Sequence, residues 1–381
     1  MKIYAVLFLF FGLYLSVCIW IFLIVTDSVR KISSHGFLRT RRNFVEAVDR
    51  HFIALSDNKT VTEEEVLLLC GTLKTKKMKR YFLQRFIYYS DKIQDKSRIK
   101  EYFRPAFPYF KEMLQFGRNM HYSEKSYRMM LLGEFRQDLE EINLFILDAL
   151  EDDSFDVRAN ALRALSVIGN SSYFNKGLMK ACSSDQYFNP RHISEMIGSF
   201  EGSIDELRWL MLDSFYGNPD SYRHLVIRFL TENVINDSMD FVLGYLHDHV
   251  NNKEIVIACL RYFSVCEIRK KARESIMQLL YKEDFEIRAV AVTLAPKYFK
   301  GDEEVILLLL GERFLRSKDW YVRKNSAAAL VRIGLDKEEL LTNLLVDDNY
   351  AKEALIYAMF DAGMTTYEEF VELGGGMNGA A

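Results

Sequence analysis

The sequence predicts an all-α protein in which a stack of helical hairpins follows one N-terminal transmembrane helix. Three observations predict this class: an uncharged run near the N-terminus, a short pattern that returns every thirty-odd residues, and no strand-like alternation of useful length. A fixed period of this size is typical of stacked helical repeats. Only five of the 381 residues are proline, so Gly, Asn, Asp and Ser must supply the short turns between helices.

The N-terminal run extends from Ile3 to Val25 without a charged residue. At about 1.5 Å per residue such a helix reaches roughly 34 Å, enough to cross a bilayer core of about 30 Å. The run is longer than the apolar core of a cleaved signal peptide, which spans about 7–15 residues. Bulky Val17 precedes Cys18, where a lipoprotein signal needs a small residue. We therefore predict an uncleaved transmembrane anchor over residues 1–26.

The charges that flank this run predict its orientation. Only Lys2 precedes it, whereas five basic residues follow it: Arg30, Lys31, Arg39, Arg41 and Arg42. Because the larger basic excess stays cytoplasmic, we expect a single-pass protein of the cell membrane with its N-terminus outside and the stack in the cytoplasm. We divide the rest into a basic juxtamembrane segment with a connecting helix (27–60), the stack (61–373) and a flexible tail (374–381).

The repeat is clearest in three copies, which combine an aromatic residue, a branched aliphatic residue and an arginine. They read Phe155-Asp156-Val157-Arg158, Phe285-Glu286-Ile287-Arg288 and Trp320-Tyr321-Val322-Arg323. Four residues before the arginine position, five copies carry a side chain that can begin a helix: Ser154, Asn252, Asp284, Asp319 and Asp347. Apolar residues three and seven positions later lie on one helix face. Each copy therefore predicts one helix with a buried stripe.

These copies resemble the HEAT repeats of the armadillo-like superfamily, most closely over residues 156–165 and 322–334. The resemblance implies a right-handed α-solenoid of paired helices that binds other proteins. Arg288 and Arg323 each follow an aspartate by four residues, so we expect them to form bonds between repeats near the helix turns. The structural repeat positions are Arg158, Asp284, Arg288, Asp319 and Arg323.

A basic segment stands apart in the first half of the chain. It contains Lys74, Lys76, Lys77, Lys79, Arg80 and Arg85. Phe82, Phe86 and Tyr89 lie among these residues at helical spacing. One interpretation is an amphipathic helix that contacts anionic lipid or a partner. The other is a solvated helix face whose aromatic side chains pack into the first repeat.

Other kinds of site have little support in the sequence. The net charge is −3 although the first 42 residues are basic, so the rest is acidic, unlike a surface for nucleic acid. No Cys-x-x-Cys pair occurs, and His247 and His249 would point in different directions on a helix. We expect no catalytic residue, cofactor or metal and no nucleic-acid partner.

Two classes of function remain. The first is a non-enzymatic, membrane-tethered scaffold or adaptor whose partner is a membrane-associated protein. Anchored bacterial proteins with HEAT repeats suggest a membrane enzyme such as a polysaccharide glycosyltransferase. The alternative is a HEAT-like enzyme, of the bilin lyase or nucleic-acid repair type, fused to an anchor. The enzymes of that kind are soluble, which favours the scaffold.

Overall fold

The computed structural model describes residues 14–26, 42–117, 119–183, 188–343 and 348–374. Within these ranges every regular element is a helix and no strand occurs, which confirms the all-α prediction. Helix α1 covers residues 14–26. The later helices are α2 (Arg42–Ser56), α3 (Glu63–Gly71), α4 (Lys76–Ser90), α5 (Ser97–Ala106), α6 (Pro108–Leu114), α7 (Tyr122–Phe135), α8 (Glu140–Ala149), α9 (Phe155–Ile168), α10 (Ser171–Ser183), α11 (Pro190–Gly198), α12 (Ile204–Asp213), α13 (Asp220–Glu232), α14 (Met239–Asp248), α15 (Lys253–Val265), α16 (Lys270–Leu280), α17 (Phe285–Ala291), α18 (Ala295–Tyr298), α19 (Glu303–Leu310), α20 (Trp320–Ile333), α21 (Lys337–Asn343), α22 (Asn349–Asp361) and α23 (Tyr367–Glu372).

The chain divides into two compact units, and the first comprises Met1–Gly177 with Ser199–Ser203. Alternate helices pack on one another here: α2 on α4, α3 on α5, α5 on α7 and α7 on α9. Helices α7 and α9 approach closely because Gly133 has no side chain. A Cβ atom at Gly133 would lie 2.8 Å from the Cα atom of Ala164. Aromatic rings fill the first part of this unit, with Phe103 stacked on Phe135 at 4.0 Å between centroids.

The second unit comprises Leu178–Gly198 and Ile204–Ala381. One layer of it runs through α11, α13, α15, α17, α20 and α22, each packed on the next. Most of these helices also contact a neighbour in the chain: α12 with α13, α14 with α15, α16 with α17, α19 with α20, and α22 with α23. This is the packing of stacked helical hairpins, so each repeat contacts mainly its neighbours. This packing of neighbouring helices is consistent with the predicted α-solenoid.

Helix starts follow the predicted cap positions with one correction. The side chain of Asn252 accepts a hydrogen bond from the amide of Ile255, and that of Asp284 accepts hydrogen bonds from the amides of Glu286 and Ile287. Ser154 and Asp319 occupy the cap position without such a bond. The last cap is Asp348, one residue after the predicted Asp347, which lies outside the described residues. Asp348 accepts two amides of the first turn of α22.

The predicted anchor is described only in part. Residues 14–26 are helical and their apolar side chains are exposed, Trp20 by 69%. Residues 1–13 and 27–41 lie outside the described part of the chain, as do residues 375–381 of the predicted tail. In the ranges that the structure describes, no helix combines the length and the apolar character needed to span a membrane.

Helix α2, predicted as a connecting helix, packs against α3 and α4. Phe44, Val48 and Phe52 on its inner face are buried. Burial of that face stabilises the helix by removing apolar surface from water. The first compact unit therefore includes α2.

Candidate binding surfaces

Three arginines hold the turn that precedes their own helix. In each case Nη1 donates to backbone carbonyl oxygens five and six residues earlier in the chain. The acceptors are Asp152 and Asp153 for Arg158 (2.8 and 2.9 Å), Lys282 and Glu283 for Arg288 (2.9 and 2.6 Å), and Ser317 and Lys318 for Arg323 (2.6 and 2.9 Å). Carbonyl groups in the turns between helices lack the partners that a helix interior provides. The repeated arginine satisfies them in the same way at each position.

These bonds differ from those expected between repeats. The hydrogen bonds of Arg288 and Arg323 run to backbone carbonyls of their own hairpin and not to Asp284 or Asp319. The Asp284 carboxylate instead caps its own helix, which turns it toward the amides of the first turn. Arg323 does reach the following repeat, since its Cζ lies 5.1 Å from the ring centroid of Tyr350 on α22.

The predicted basic segment separates into two parts in the structure. Arg85 is half-buried, and its Nε donates to Oδ1 of Asp49 on α2 at 2.5 Å. Burial opposes its charged form, but the hydrogen bond and charge of Asp49 outweigh burial and raise the pKa of Arg85. This side chain joins α2 to α4. The remaining cations are Lys74, Lys76, Lys77, Lys79 and Arg80, at or before the start of α4.

The aromatic residues of this segment belong to the core. Phe82 and Phe86 are fully buried, and the Phe82 ring stacks on Phe110 of α6 at 5.1 Å. Tyr89 is half-buried and stacks on Phe52 of α2. This part of the second interpretation is confirmed, whereas the role of the basic side chains remains a prediction.

Four of the predicted cations line a cleft of about 590 Å³ in the first unit: Lys74, Lys76, Lys79 and Arg80. The opposite wall, which comes from α6 and α7, was not predicted from the sequence. That wall contributes Glu112, Met113, Leu114, Glu124, Tyr127, Arg128 and Leu131. A signal was present in the sequence, because α4 and α7 both place lining residues at the i, i+3, i+4, i+7 spacing of one helix face.

A second surface lies in the second unit, at the starts of α20 and α22. Trp320, Tyr321 and Tyr350 are 54%, 63% and 67% exposed. The Trp320 and Tyr321 rings meet edge to face with centroids 4.9 Å apart. Lys324 places Nζ 5.0 Å from the centroid of the Trp320 ring. We call Trp320, Tyr321 and Tyr350, with Arg323 and Lys324, the aromatic patch.

Another cleft of about 770 Å³ lies between α11, α13 and α15. Phe188, Ile193, Leu225 and Ile257 give it an apolar lining, and Cys182 also lines it. Burial raises the pKa of the Cys182 thiol to about 12, and a thiol that stays protonated is a poor nucleophile. Within the described ranges, no group of three or more His, Cys, Asp or Glu residues is placed to hold a metal ion.

Comparison with known proteins gives no match to any protein-family model and none to a curated protein. The class therefore rests on the structure itself. Each unit is an all-α, helical repeat-like stack. The surfaces that stand out are a basic cleft in the first unit, and an aromatic patch and an apolar cleft in the second.

Proposed function

We propose that this chain is a membrane-tethered α-solenoid scaffold of the HEAT kind that binds and positions a partner protein. The proposal includes the right-handed stacking that the HEAT resemblance implies. Its main support is the aromatic patch. Aromatic residues and arginine are the side chains that most often dominate the binding energy of protein interfaces. Single exposed aromatic residues are ordinary, but here three lie beside two cations.

The patch is also held in place before any partner binds. Nη1 of Arg323 is fixed by the carbonyl oxygens of Ser317 and Lys318. The same guanidinium group faces the Tyr350 ring. Side chains that are already ordered lose less conformational entropy on association. This arrangement favours a recognition surface over loosely solvated aromatic residues.

The tether is the second part of the proposal. The uncharged run from Ile3 to Val25 has the length of a membrane span, and basic residues follow it. A tether raises the local concentration of a scaffold near membrane partners. We therefore place the stack at the cytoplasmic face of the cell membrane. We expect a membrane-associated partner, such as the polysaccharide glycosyltransferase that the resemblance suggests.

The proposal is tested by crosslinking the tagged full chain in its native membranes and identifying what purifies with it. A triple variant, Trp320→Ala, Tyr321→Ala and Tyr350→Ala, removes the rings of the aromatic patch. We expect the wild type to carry a membrane-associated protein in a defined ratio and the variant to lose it.

A matched control replaces exposed aromatic residues that lie outside the aromatic patch. Trp209, Tyr216 and Tyr122 are similarly exposed, by 63%, 60% and 52%, and their replacement by alanine should leave the partner bound. If both triple variants retain the partner equally, the binding surface lies outside the aromatic patch. A wild-type chain that carries no membrane-associated protein would overturn the scaffold proposal itself.

A further inference from the structure

The basic cleft of the first unit is built by matching faces of two helices. Lys76, Lys79, Arg80 and Leu83 follow one another along α4 at the spacing of a single helix face. Glu124, Tyr127, Arg128 and Leu131 do the same along α7, and the end of α6 closes the cleft. Its volume of about 590 Å³ lies in the range of small-molecule sites, about 300–1,000 Å³.

Charge in this cleft is unbalanced. Five basic side chains line it against two acidic ones, Glu112 and Glu124. Glu124 is already paired, since its Oε1 accepts from Nη2 of Arg128 at 2.6 Å. Lys79 is directed to the carbonyl oxygen of Tyr109. The lining therefore carries an excess of positive charge.

Three cations in the cleft have no ion-pair partner among the described residues: Lys74, Lys76 and Arg80. All three are exposed. Arg80 and Tyr127 both line the cleft. Burial raises the pKa of the Tyr127 phenol, and the positive charge of Arg80 acts in the opposite direction. A guanidinium group, two ammonium groups and a hydroxyl therefore surround one space.

The floor beneath these cations is apolar. Leu83, Leu114 and Leu131 are almost fully buried and line the cleft together with Met113. A low-dielectric wall beside charges of one sign strengthens their field in the cleft. The lining thus combines donors for an anion with a surface for carbon atoms.

We propose that this cleft binds a phosphate group attached to an organic molecule. Arginine and lysine are the side chains that bind phosphate most often, arginine through its planar fork and lysine as a point charge. The start of α4 adds the favourable end of the helix dipole, and the Met78 amide there donates to the Thr75 hydroxyl. The phosphate belongs either to a lipid headgroup or to a soluble compound.

The test uses the full chain in a mild detergent and an amine-reactive label read by mass spectrometry. One arm adds inorganic pyrophosphate, and the other adds phosphatidylglycerol to the micelles, with diacylglycerol, which lacks the phosphate, as its blank. At a probe concentration about ten times the Kd, labelling of Lys74 and Lys76 should fall about tenfold. Lys270, whose side chain is 90% exposed, serves as the internal control and should label equally throughout.

Calorimetric titration of the same probe into two charge variants gives an independent measurement. In the cleft variant Lys74, Lys76 and Arg80 become Gln, and we expect affinity to fall about a hundredfold because charge-assisted hydrogen bonds are lost. In the control variant Lys270, Lys271 and Lys352 become Gln, with the same change in net charge and no expected loss. Because the three cleft side chains are exposed, both variants should melt like the wild type.

The outcomes separate the sources of the phosphate. Protection by phosphatidylglycerol alone identifies a lipid headgroup, and protection by pyrophosphate identifies a soluble phosphate compound. If neither probe protects Lys74 and Lys76 at low salt, or if both variants lose affinity equally, the site is refuted. Protection by polyglutamate but by neither phosphate probe would also refute it and would assign the cleft to an acidic protein segment.

Discussion

Arg288 and Arg313 donate to the same acceptor, the carbonyl oxygen of Lys282, at 2.9 and 3.0 Å. Arg288 belongs to α17, which follows that turn, whereas Arg313 lies between α19 and α20. The turn is therefore held from its own hairpin and from the next one. Arg313 adds an ion pair with Glu283 at 3.0 Å. Inter-repeat bonding of the kind expected of Arg288 is thus provided by Arg313.

Arg288→Ala should destabilise the protein. Arg288 is buried. Its loss leaves the Glu283 carbonyl group without its charged donor and the Lys282 carbonyl group with Arg313 alone, which costs about 2 kcal/mol. Thermal unfolding of the full chain measures the effect. The control is Arg228→Ala, which removes only an exposed i,i+4 ion pair with Glu232 and should cost about 0.5 kcal/mol or less. Similar melting of the two variants would contradict a structural role for Arg288.

Gly133→Ala should lower stability although alanine is the better helix former. A Cβ atom there meets the backbone of Ala164, and overpacking of this kind typically costs about 1–3 kcal/mol. Gly244 on α14 offers the matched control, because a Cβ atom there meets nothing within 4 Å. Gly244→Ala should raise stability by about 0.5–1 kcal/mol. Opposite signs in the two melting shifts are expected, and two stabilising shifts would rule out the close packing of α7 on α9.

Lys125→Met should change how stability depends on pH. Lys125 and Asp152 form a largely buried pair at 2.7 Å. Burial favours the neutral Asp152 carboxyl, but the hydrogen bonds from Lys125 and the Ser154 amide outweigh burial and lower its pKa. The pair therefore contributes stability above the unfolded pKa of about 4, and this is lost as pH falls through the lower folded value.

Without Lys125, the Asp152 carboxylate loses a hydrogen bond and a nearby positive charge that both lower its pKa, so this pKa should rise from its wild-type value. The variant should lose about 2 kcal/mol at neutral pH, and its acid unfolding should begin at a higher pH than in the wild type. Melting temperatures across the acidic range measure this. Lys111→Met, which breaks the more exposed pair with Glu141, should leave the profile nearly unchanged. Parallel profiles for the two variants would contradict the argument.

The sequence predicted the helical hairpins because the arginine and cap positions recur with the repeat. Cap side chains such as Asp284 bond locally, so spacing alone is enough to identify them. The partners of the arginines were not predictable, because their acceptors are backbone carbonyls that every residue carries. Arg85 was grouped with the lysines although it pairs with Asp49, thirty-six residues earlier. Sequence proximity therefore overstated the extent of the basic surface.

For the cleft, the sequence pattern identified too few residues instead of too many. Lys76 and Arg80 were identified from composition, but Glu112 and Tyr127 are separated from them by a whole hairpin. Their proximity depends on how α6 and α7 pack against α4, which a pattern of charges does not encode. The aromatic patch was likewise missed. Trp320 was treated as part of the repeat pattern, and its exposure is a property of tertiary packing.

The anchor can be tested by topology. Protease added to intact cells should leave residues 43–381 uncut, and permeabilised cells should show digestion as the positive control. After removal of residues 1–26, a high-salt wash should move the chain from the membrane fraction to the soluble fraction, because the predicted span is gone and salt screens ionic contacts with lipid or a partner. Digestion in intact cells would reverse the orientation, and an unchanged membrane fraction would refute the anchor.

The central claim, that the aromatic patch receives a membrane-associated partner, is tested most directly by site-specific photocrosslinking. A photoreactive amino acid replaces Tyr321 in the full chain, and the same residue at Trp209 provides the control in the same unit. We expect illumination of intact cells to give one discrete crosslinked product from Tyr321, present in the membrane fraction, and none from Trp209. Equal products from both positions, or none from Tyr321, would contradict the account.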